Sequence, residues 1–472
     1  MLFTEPIFMF IFLPVCLILQ YTIKSIAARN VILLIMSLVF YAWGEPVYVF
    51  LMISTSLIGW LLTKLMHRKK NSKALLAVSI VVSLLPLLFF KYGQMLLDIL
   101  AFISPIELSM PSLSLPIGIS FYSFQILTYI IDVYRNEAEV QKNPLYFMLY
   151  ISLFPQLIAG PIVRYTEVEK ELQYREIKAE QVTDGVYRFV LGLGKKVLLA
   201  NVVGKVASDV FALDMAEIGT VGMWGAMLCY TFQIYFDFSG YSDMAIGLGK
   251  MLGFTYSENF NYPYISCSIK EFWRRWHISM SSFFRDYIYI PLGGNRKRKL
   301  FNMFVVWATT GLWHGAGLNF VLWGLYYFVL LTLEGFITKK VKIPKVISLP
   351  VTFILVIFGW VLFYFEDTSR LGVALSTMLG IGCSFSDPVS TAIVSGAVPA
   401  LIICAVCATP LYKRFTEKLS EEFNENGRVL GMSLVTAVIP FTAYTLGLKS
   451  TPAGKAAVLA TVEPLSAAVL PS

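Results

Sequence analysis

Three histidines occur in this 472-residue chain. One of them, His314, stands in TTGLWHGAGLN, residues 309–319, with long apolar runs on both sides. A neutral imidazole can take a proton from a hydroxyl and later return it. Glycines at 311, 315 and 317 allow backbone or substrate to come close. With Trp313 and Asn319 they bring glycine, tryptophan, histidine and asparagine together within nine residues. An ionisable side chain inside a bilayer is a functional hypothesis by default. His314 is therefore read in two ways. The convergence favours an acid–base group; the plainer reading is a histidine that hydrogen-bonds a neighbouring helix.

A second polar stretch is SIKEFWRRWHISMSSFFRDYIYIPLGGN, 268–295. Ser268 and Glu271 have the spacing of a capping box, so a helix starts there. Phe272, Trp276, Met280, Phe283 and Tyr287 form an apolar stripe, and Lys270, Arg274, His277, Ser281 and Arg285 form a polar one. The pattern predicts one amphipathic helix lying in the membrane interface. Arg274 and Arg275 then either anchor lipid headgroups or, with His277, line the entrance for an anionic donor such as a nucleotide thioester with phosphates.

A third stretch, QIYFDFSGYSDMAIGLGKMLGF at 233–254, carries Asp237 and Asp243 around Ser239, Gly240, Tyr241 and Ser242. The GYSD segment is expected to turn and re-enter the membrane. The acids are expected to pair with Arg274, Arg275 or Arg285, with substrate contact by Tyr241, Ser242 and Asp243 as the second role. The GLG at 247–249 is no dinucleotide loop, because no strand precedes it and GxGxxG is absent. FPQLIAGPIVRY, 154–165, reads as a broken helix with Arg164 near an interface.

The elements that must position these groups are membrane helices. The chain is 57% hydrophobic and 14% charged, with mean hydropathy +0.68. A soluble chain carries about 25% charge. Apolar segments occur at 6–24, 30–43, 46–66, 74–92, 115–134, 145–163, 184–208, 218–238, 301–315, 318–338, 347–365, 390–411 and 429–447. They predict an all-α, polytopic transmembrane helical bundle of roughly 10–12 spans, with re-entrant and interfacial helices. One integral-membrane domain over 1–472 is expected. The N-terminal run lacks a basic n-region and a cleavage site, so it reads as a retained first span.

Basic clusters at 67–73, 295–299 and 339–342 are placed in the cytoplasm by the positive-inside rule. A straight helix over 301–338 would be about 57 Å long, nearly twice the hydrocarbon thickness. It must double back, and glycines 311, 315 and 317 mark the break, with His314 at it. The net charge of +8 sits in such loops and does not indicate nucleic acid. The six cysteines read as small hydrophobes rather than as metal ligands, and no metal is expected. No Walker loop, HExxH or GxSxG is present, and no spacing argues for a serine triad.

The chain resembles the membrane-bound O-acyltransferase family, in its bacterial polysaccharide-acetylating branch. The matching blocks are FYAWGEP (40–46), LPIGISFYSFQILTYIIDVYR (115–135), FPQLIAGPIVRY (154–165), YFDFSGYSDMAIGLGKMLGF (235–254), ENFNYPYISCSIKEFWRRWHISMSSFFRDYIYIPLGGNR (258–296) and TGLWHGAGLNFVLWG (310–324). They cover most of residues 1–335, with a core signature region at 115–335; residues 340–472 match only in their spans. The resemblance implies a multi-pass enzyme of the cell (plasma or inner) membrane with a tunnel through the bilayer. It implies acetyl-CoA as a cytoplasmic acyl-donor substrate, with no tightly bound cofactor. The expected acceptor side is an outer-side partner acetyltransferase and a polysaccharide. The family's essential histidine falls on His314 in Trp313-His314-Gly315, and its second polar position on His277. Trp313, Asn319, Arg274, Arg275, Tyr241, Ser242 and Asp243 are the candidate substrate- and donor-binding residues.

The favoured expectation is O-acetylation of an extracellular polysaccharide, alginate-like or cellulose-like. D-alanyl transfer to teichoic acid from a carrier-protein thioester and peptidoglycan O-acetylation are the alternatives within the family. A transporter would also show broken helices and polar groups near the midplane, but no paired half-repeats are visible.

Overall fold

The computed structural model describes residues 1–103, 113–158, 160–338, 341, 343–411 and 414. The expected span at 429–447, with the rest of 415–472, and Lys339, Lys340 and Lys342 lie outside the described residues. Helices follow in the order α1 (Leu13–Thr22), α2 (Ile26–Gly44), α3 (Tyr48–Arg68), α4 (Lys73–Ile103), α5 (Ile119–Arg135), α6 (Pro144–Ser152), α7 (Phe154–Leu157), α8 (Tyr165–Gln173), α9 (Ala179–Gly194), α10 (Asn201–Phe211), α11 (Thr220–Met251), α12 (Ile269–Arg275), α13 (Ile278–Phe284), α14 (Lys299–His314), α15 (Leu318–Ile337), α16 (Lys345–Tyr364), α17 (Thr368–Met378), α18 (Pro388–Gly396) and α19 (Val398–Cys407). No strand occurs among the described residues. Of these helices α2, α3, α4, α15 and α16 are long and apolar enough to cross a membrane, and α18 with α19 makes a pair bent by 48°. The expected segment at 218–238 falls in the 32-residue α11, while residues 6–24 form a π-helical turn, Phe8–Phe12, that runs into α1.

The chain divides into two compact units. The first comprises Met1–Gly192, Tyr241–Asn261 and Ser268–Ser348. In it α14 and α15 form a hairpin whose backbones nearly touch. A Cβ added at Gly311 would lie 2.5 Å from the Phe320 carbonyl oxygen, and one at Gly324 would lie 2.5 Å from that of Trp307. Small residues at such a crossing let helices pack closely in lipid. The chain thus doubles back where the glycines and the flanking basic loops require.

The expected single helix over 268–295 is broken. It ends at Arg275 and restarts at Ile278, with His277 in the left-handed region at φ 43°. The break is pinned from outside the segment: Asn261 N–H donates to the Arg275 carbonyl, and Ile278 N–H donates to the Asn259 carbonyl, both at 2.9 Å. The stripe of Phe272, Trp276, Met280, Phe283 and Tyr287 is nonetheless buried. The GYSD segment is a second correction. Residues 240–243 lie inside the continuous helix α11 rather than in a re-entrant turn. Gly, Ser and Asp suggest a turn only locally; here they pack closely, and a Cβ on Gly247, one turn further, would meet the Gly185 carbonyl oxygen at 2.5 Å.

The second unit comprises Leu193–Gly240, Tyr262–Cys267 and Leu349 onward. Gly222 and Gly225 of α11 lie against Ser390 and Val394 of α18. Asp387 caps α18 through the Ser390 N–H and also accepts from Gly219 N–H. Lys196 ion-pairs with Asp237.

Candidate active site

α14 stops at His314 because Gly315 is extended and Gly317 opens α15. A side chain at Gly315 would strike the Phe320 ring at 2.4 Å. The His314 ring is walled by aromatics, with centroid distances of 4.7 Å to Trp313, 5.0 Å to Trp323 and 6.2 Å to Phe320. The last carbonyls of a helix have no partners within it. Here the Lys91 ammonium donates to the Trp313 carbonyl and the Tyr92 hydroxyl donates to that of Leu312. Both belong to α4. Lys91 Nζ also lies 5.7 Å from the Trp313 ring centroid. A cation is favoured at a helix C-terminus and over an aromatic face.

His277 is buried at the break between α12 and α13. Its Nδ1 lies 3.0 Å from Asn259 Oδ1. The same oxygen accepts from Ser279 N–H at 3.2 Å and Ser279 Oγ at 2.9 Å, while Asn259 Nδ2 donates to Ser242 Oγ at 3.1 Å. The backbone donor fixes which end of the amide is oxygen. His277 therefore carries its proton on Nδ1 in the neutral form, and the ring lone pair is on Nε2. Ser279 Oγ in turn accepts from Ile162 N–H at 3.0 Å, which ties residues 160–164 to the same network.

The two histidines meet at Trp313. Its ring centroid is 4.7 Å from that of His314 and 6.3 Å from that of His277. Phe124 of α5 stacks on Trp313 at 5.5 Å and on Phe283 of α13 at 4.0 Å. Along α14, His314 stands about 23 Å from Lys299 at the basic loop.

The other sequence-predicted residues divide. Asn319 is fully buried in the first turn of α15, beside Phe320. Ser242 joins the His277 network through Asn259. Asp243 pairs with Arg188 at 2.7 Å, and Arg188 also pairs with Glu258 at 2.5 Å. Asp243 and Asp237 thus take Arg188 and Lys196, where Arg274, Arg275 or Arg285 were expected. Arg275 instead pairs with Glu271 at 2.8 Å, and Arg285 with Asp286 at 2.6 Å. Arg274 is exposed. Tyr241 stacks on Phe3 at 4.6 Å, away from Trp313 in its contacts. Lys91, Asn259 and Arg188 were not singled out from the sequence. Lys91 alone had a signal there, a lone cation inside the apolar run 74–92.

Residues 46–366 match the membrane-bound O-acyltransferase (MBOAT) family. The chain belongs to that family. It is 37% identical over 447 residues to a probable alginate O-acetylase AlgI of Pseudomonas syringae pv. tomato, covering 91% of this chain and 86% of the relative. A peptidoglycan O-acetyltransferase of Helicobacter pylori is 33% identical over 427 residues, covering 81% of this chain and 80% of that protein. A teichoic acid D-alanyltransferase of Bacillus subtilis is 29% identical over 325 residues, 63% of this chain and 79% of that protein. This MBOAT protein is thus a multi-pass membrane acyltransferase.

Proposed function

We propose that this enzyme moves an acetyl group from cytoplasmic acetyl-CoA across the cell membrane for O-acetylation of an extracellular polysaccharide, through an outer-side partner acetyltransferase. The relatives support acetyl over D-alanyl transfer: an alginate O-acetylase shares 37% identity, a D-alanyltransferase 29% over a shorter stretch. The observation that carries the chemistry is that Trp313 borders both histidines at a helix break.

In this scheme thioester and acceptor hydroxyl meet at Trp313, in a tunnel reached from both faces. The hydroxyl oxygen attacks the thioester carbonyl carbon while His314 takes its proton. The carbonyl electrons move to oxygen, and the Lys91 ammonium at the helix end offsets that charge. The C–S bond then breaks, and the departing thiolate takes the proton from His314. His277, fixed on Nδ1 by Asn259, is the second proton acceptor, through Nε2. Asn319 and Trp313 shape the acyl site.

The test uses protein in inside-out vesicles with acetyl-labelled acetyl-CoA outside and the polymer and partner enzyme inside. Label on the enclosed polymer is expected. Label retained from a D-alanyl carrier thioester but not from acetyl-CoA would replace this reading with D-alanyl transfer.

A further inference from the structure

Away from the histidines, the first unit gathers three guanidiniums round one dipeptide. Arg135 closes α5, Arg164 precedes α8 and Arg285 follows α13. Arg164 and Arg285 reach the Asp286 carboxylate at 2.7 and 2.6 Å, and Arg135 donates to the Asp286 carbonyl at 3.1 Å. The guanidinium carbons of Arg135 and Arg164 lie 5.3 and 5.1 Å from the Tyr287 ring centroid. The Tyr287 hydroxyl donates to buried Asp132 at 2.7 Å.

Three like charges this close repel unless negative charge answers them. Asp286 is shared by two of them, Asp132 is held under Tyr287, and Glu137 approaches Arg135 only to 4.0 Å on the rim. The Arg285 side chain is 63% exposed. Four more basic residues, 296–299, follow in the turn that leads into α14, which packs on 285–289.

Two observations orient the cluster. Asn71, in the basic α3–α4 loop, donates to the Tyr134 carbonyl at 3.2 Å and to Asn136 Oδ1 at 3.1 Å, so the end of α5 lies at that loop. The positive-inside rule makes this the cytoplasmic side. And α13 runs from His277 directly to Arg285, about 12 Å along its axis.

We propose that Arg135, Arg164 and Arg285 receive the phosphate of a phosphopantetheine thioester, whose arm follows α13 so that the thioester reaches Trp313. Guanidiniums bind phosphate as planar forks, and the guanidinium carbons of Arg135 and Arg164 both lie within 5.3 Å of the Tyr287 ring centroid. The proposal rests on the acyl-transfer reading and moves donor recognition from Arg274 and Arg275 to this cluster. The phosphate chemistry is common to free CoA and to an arm carried by a protein.

The experiment is CoA binding by the full-length protein in lipid nanodiscs, read without turnover. Arg285→Gln and Arg135→Gln should each weaken CoA about tenfold or more. Pantetheine, which lacks phosphate, should bind them as it binds the wild type. Lys205→Gln removes an exposed cation from α10 and should leave CoA binding unchanged. Undiminished CoA affinity in both arginine variants overturns the proposal, as does an equal loss for CoA and pantetheine. Equal wild-type affinity for CoA and 4′-phosphopantetheine supports recognition of the arm phosphate, shared with a carrier-borne donor; weaker phosphopantetheine binding supports recognition of the CoA nucleotide as well. A wild type that binds CoA through these arginines yet transfers no acetyl would remove the acetyl-transfer reading and leave the phosphate site standing.

Discussion

Asn259→Ala removes four buried hydrogen bonds that meet on one side chain. Its Oδ1 accepts from His277 Nδ1 and from the backbone and hydroxyl of Ser279, and its Nδ2 donates to Ser242. Alanine leaves the Ser279 N–H and the His277 ring proton facing a void, and a buried donor left unsatisfied costs about 1–3 kcal/mol. A stability loss of about 3 kcal/mol is the sum expected after relaxation. Catalysis should suffer separately. Without Asn259 the His277 proton is no longer held on Nδ1, and a positioned acid–base group contributes about 10²–10⁴-fold. The expected outcome is acyl transfer lowered about 100-fold per folded molecule. Ser242→Ala, which leaves the His277 bond in place, should cost less than about tenfold. The assay is acetyl transfer in detergent or nanodiscs, normalised to folded protein, with thermal unfolding followed in parallel. Equal losses in the two variants, or a loss in Asn259→Ala that vanishes on normalisation, would refute the reasoning.

Lys91 and Tyr92 clamp successive carbonyls of α14, one with charge and one without. If the charge acts on the transition state, Lys91→Met should lower transfer about 100-fold and Tyr92→Phe less than about tenfold; equal effects would mean a mechanical clamp only. Gly324→Ala sets a methyl 2.5 Å from the Trp307 carbonyl oxygen; it should part α14 from α15 and cost about 2 kcal/mol, visible as a lower melting temperature and reduced transfer. Burial raises the Asp286 carboxyl, but hydrogen bonds from Arg285 and Arg164 outweigh it and hold the group below its ordinary value. A carboxyl depressed in the folded state stabilises above its unfolded value of about 3.9, and that contribution is lost as pH falls further. Melting temperature should therefore drop below about pH 4 in the wild type, and Asp286→Asn should show less of that drop.

What could be read from the sequence was what local chemistry decides. The doubling back at 311–317 follows from glycine and from basic loops at both ends, and α14 and α15 turn there. The stripe Phe272 to Tyr287 is buried as its spacing indicates. The break at His277 was not legible, because it is imposed by Asn259 and Asn261 from another segment. The same holds for the ion pairs. Asp243 finds Arg188, 55 residues away, and Lys91 finds Trp313, 222 residues away. No periodicity within one helix encodes such partners. GYSD misled for the opposite reason: its residues favour turns in isolation, and packing at α11 overrides them.

The central claim is that His314 carries the proton of acyl transfer at a site shared with His277. The most direct measurement compares wild type, His314→Ala and His277→Ala in vesicles loaded with the partner enzyme and polymer and supplied with labelled acetyl-CoA. Loss of label transfer by about 100-fold or more in His314→Ala, with CoA binding and thermal unfolding unchanged, is the expected result. Label transfer at the wild-type rate in His314→Ala would contradict it.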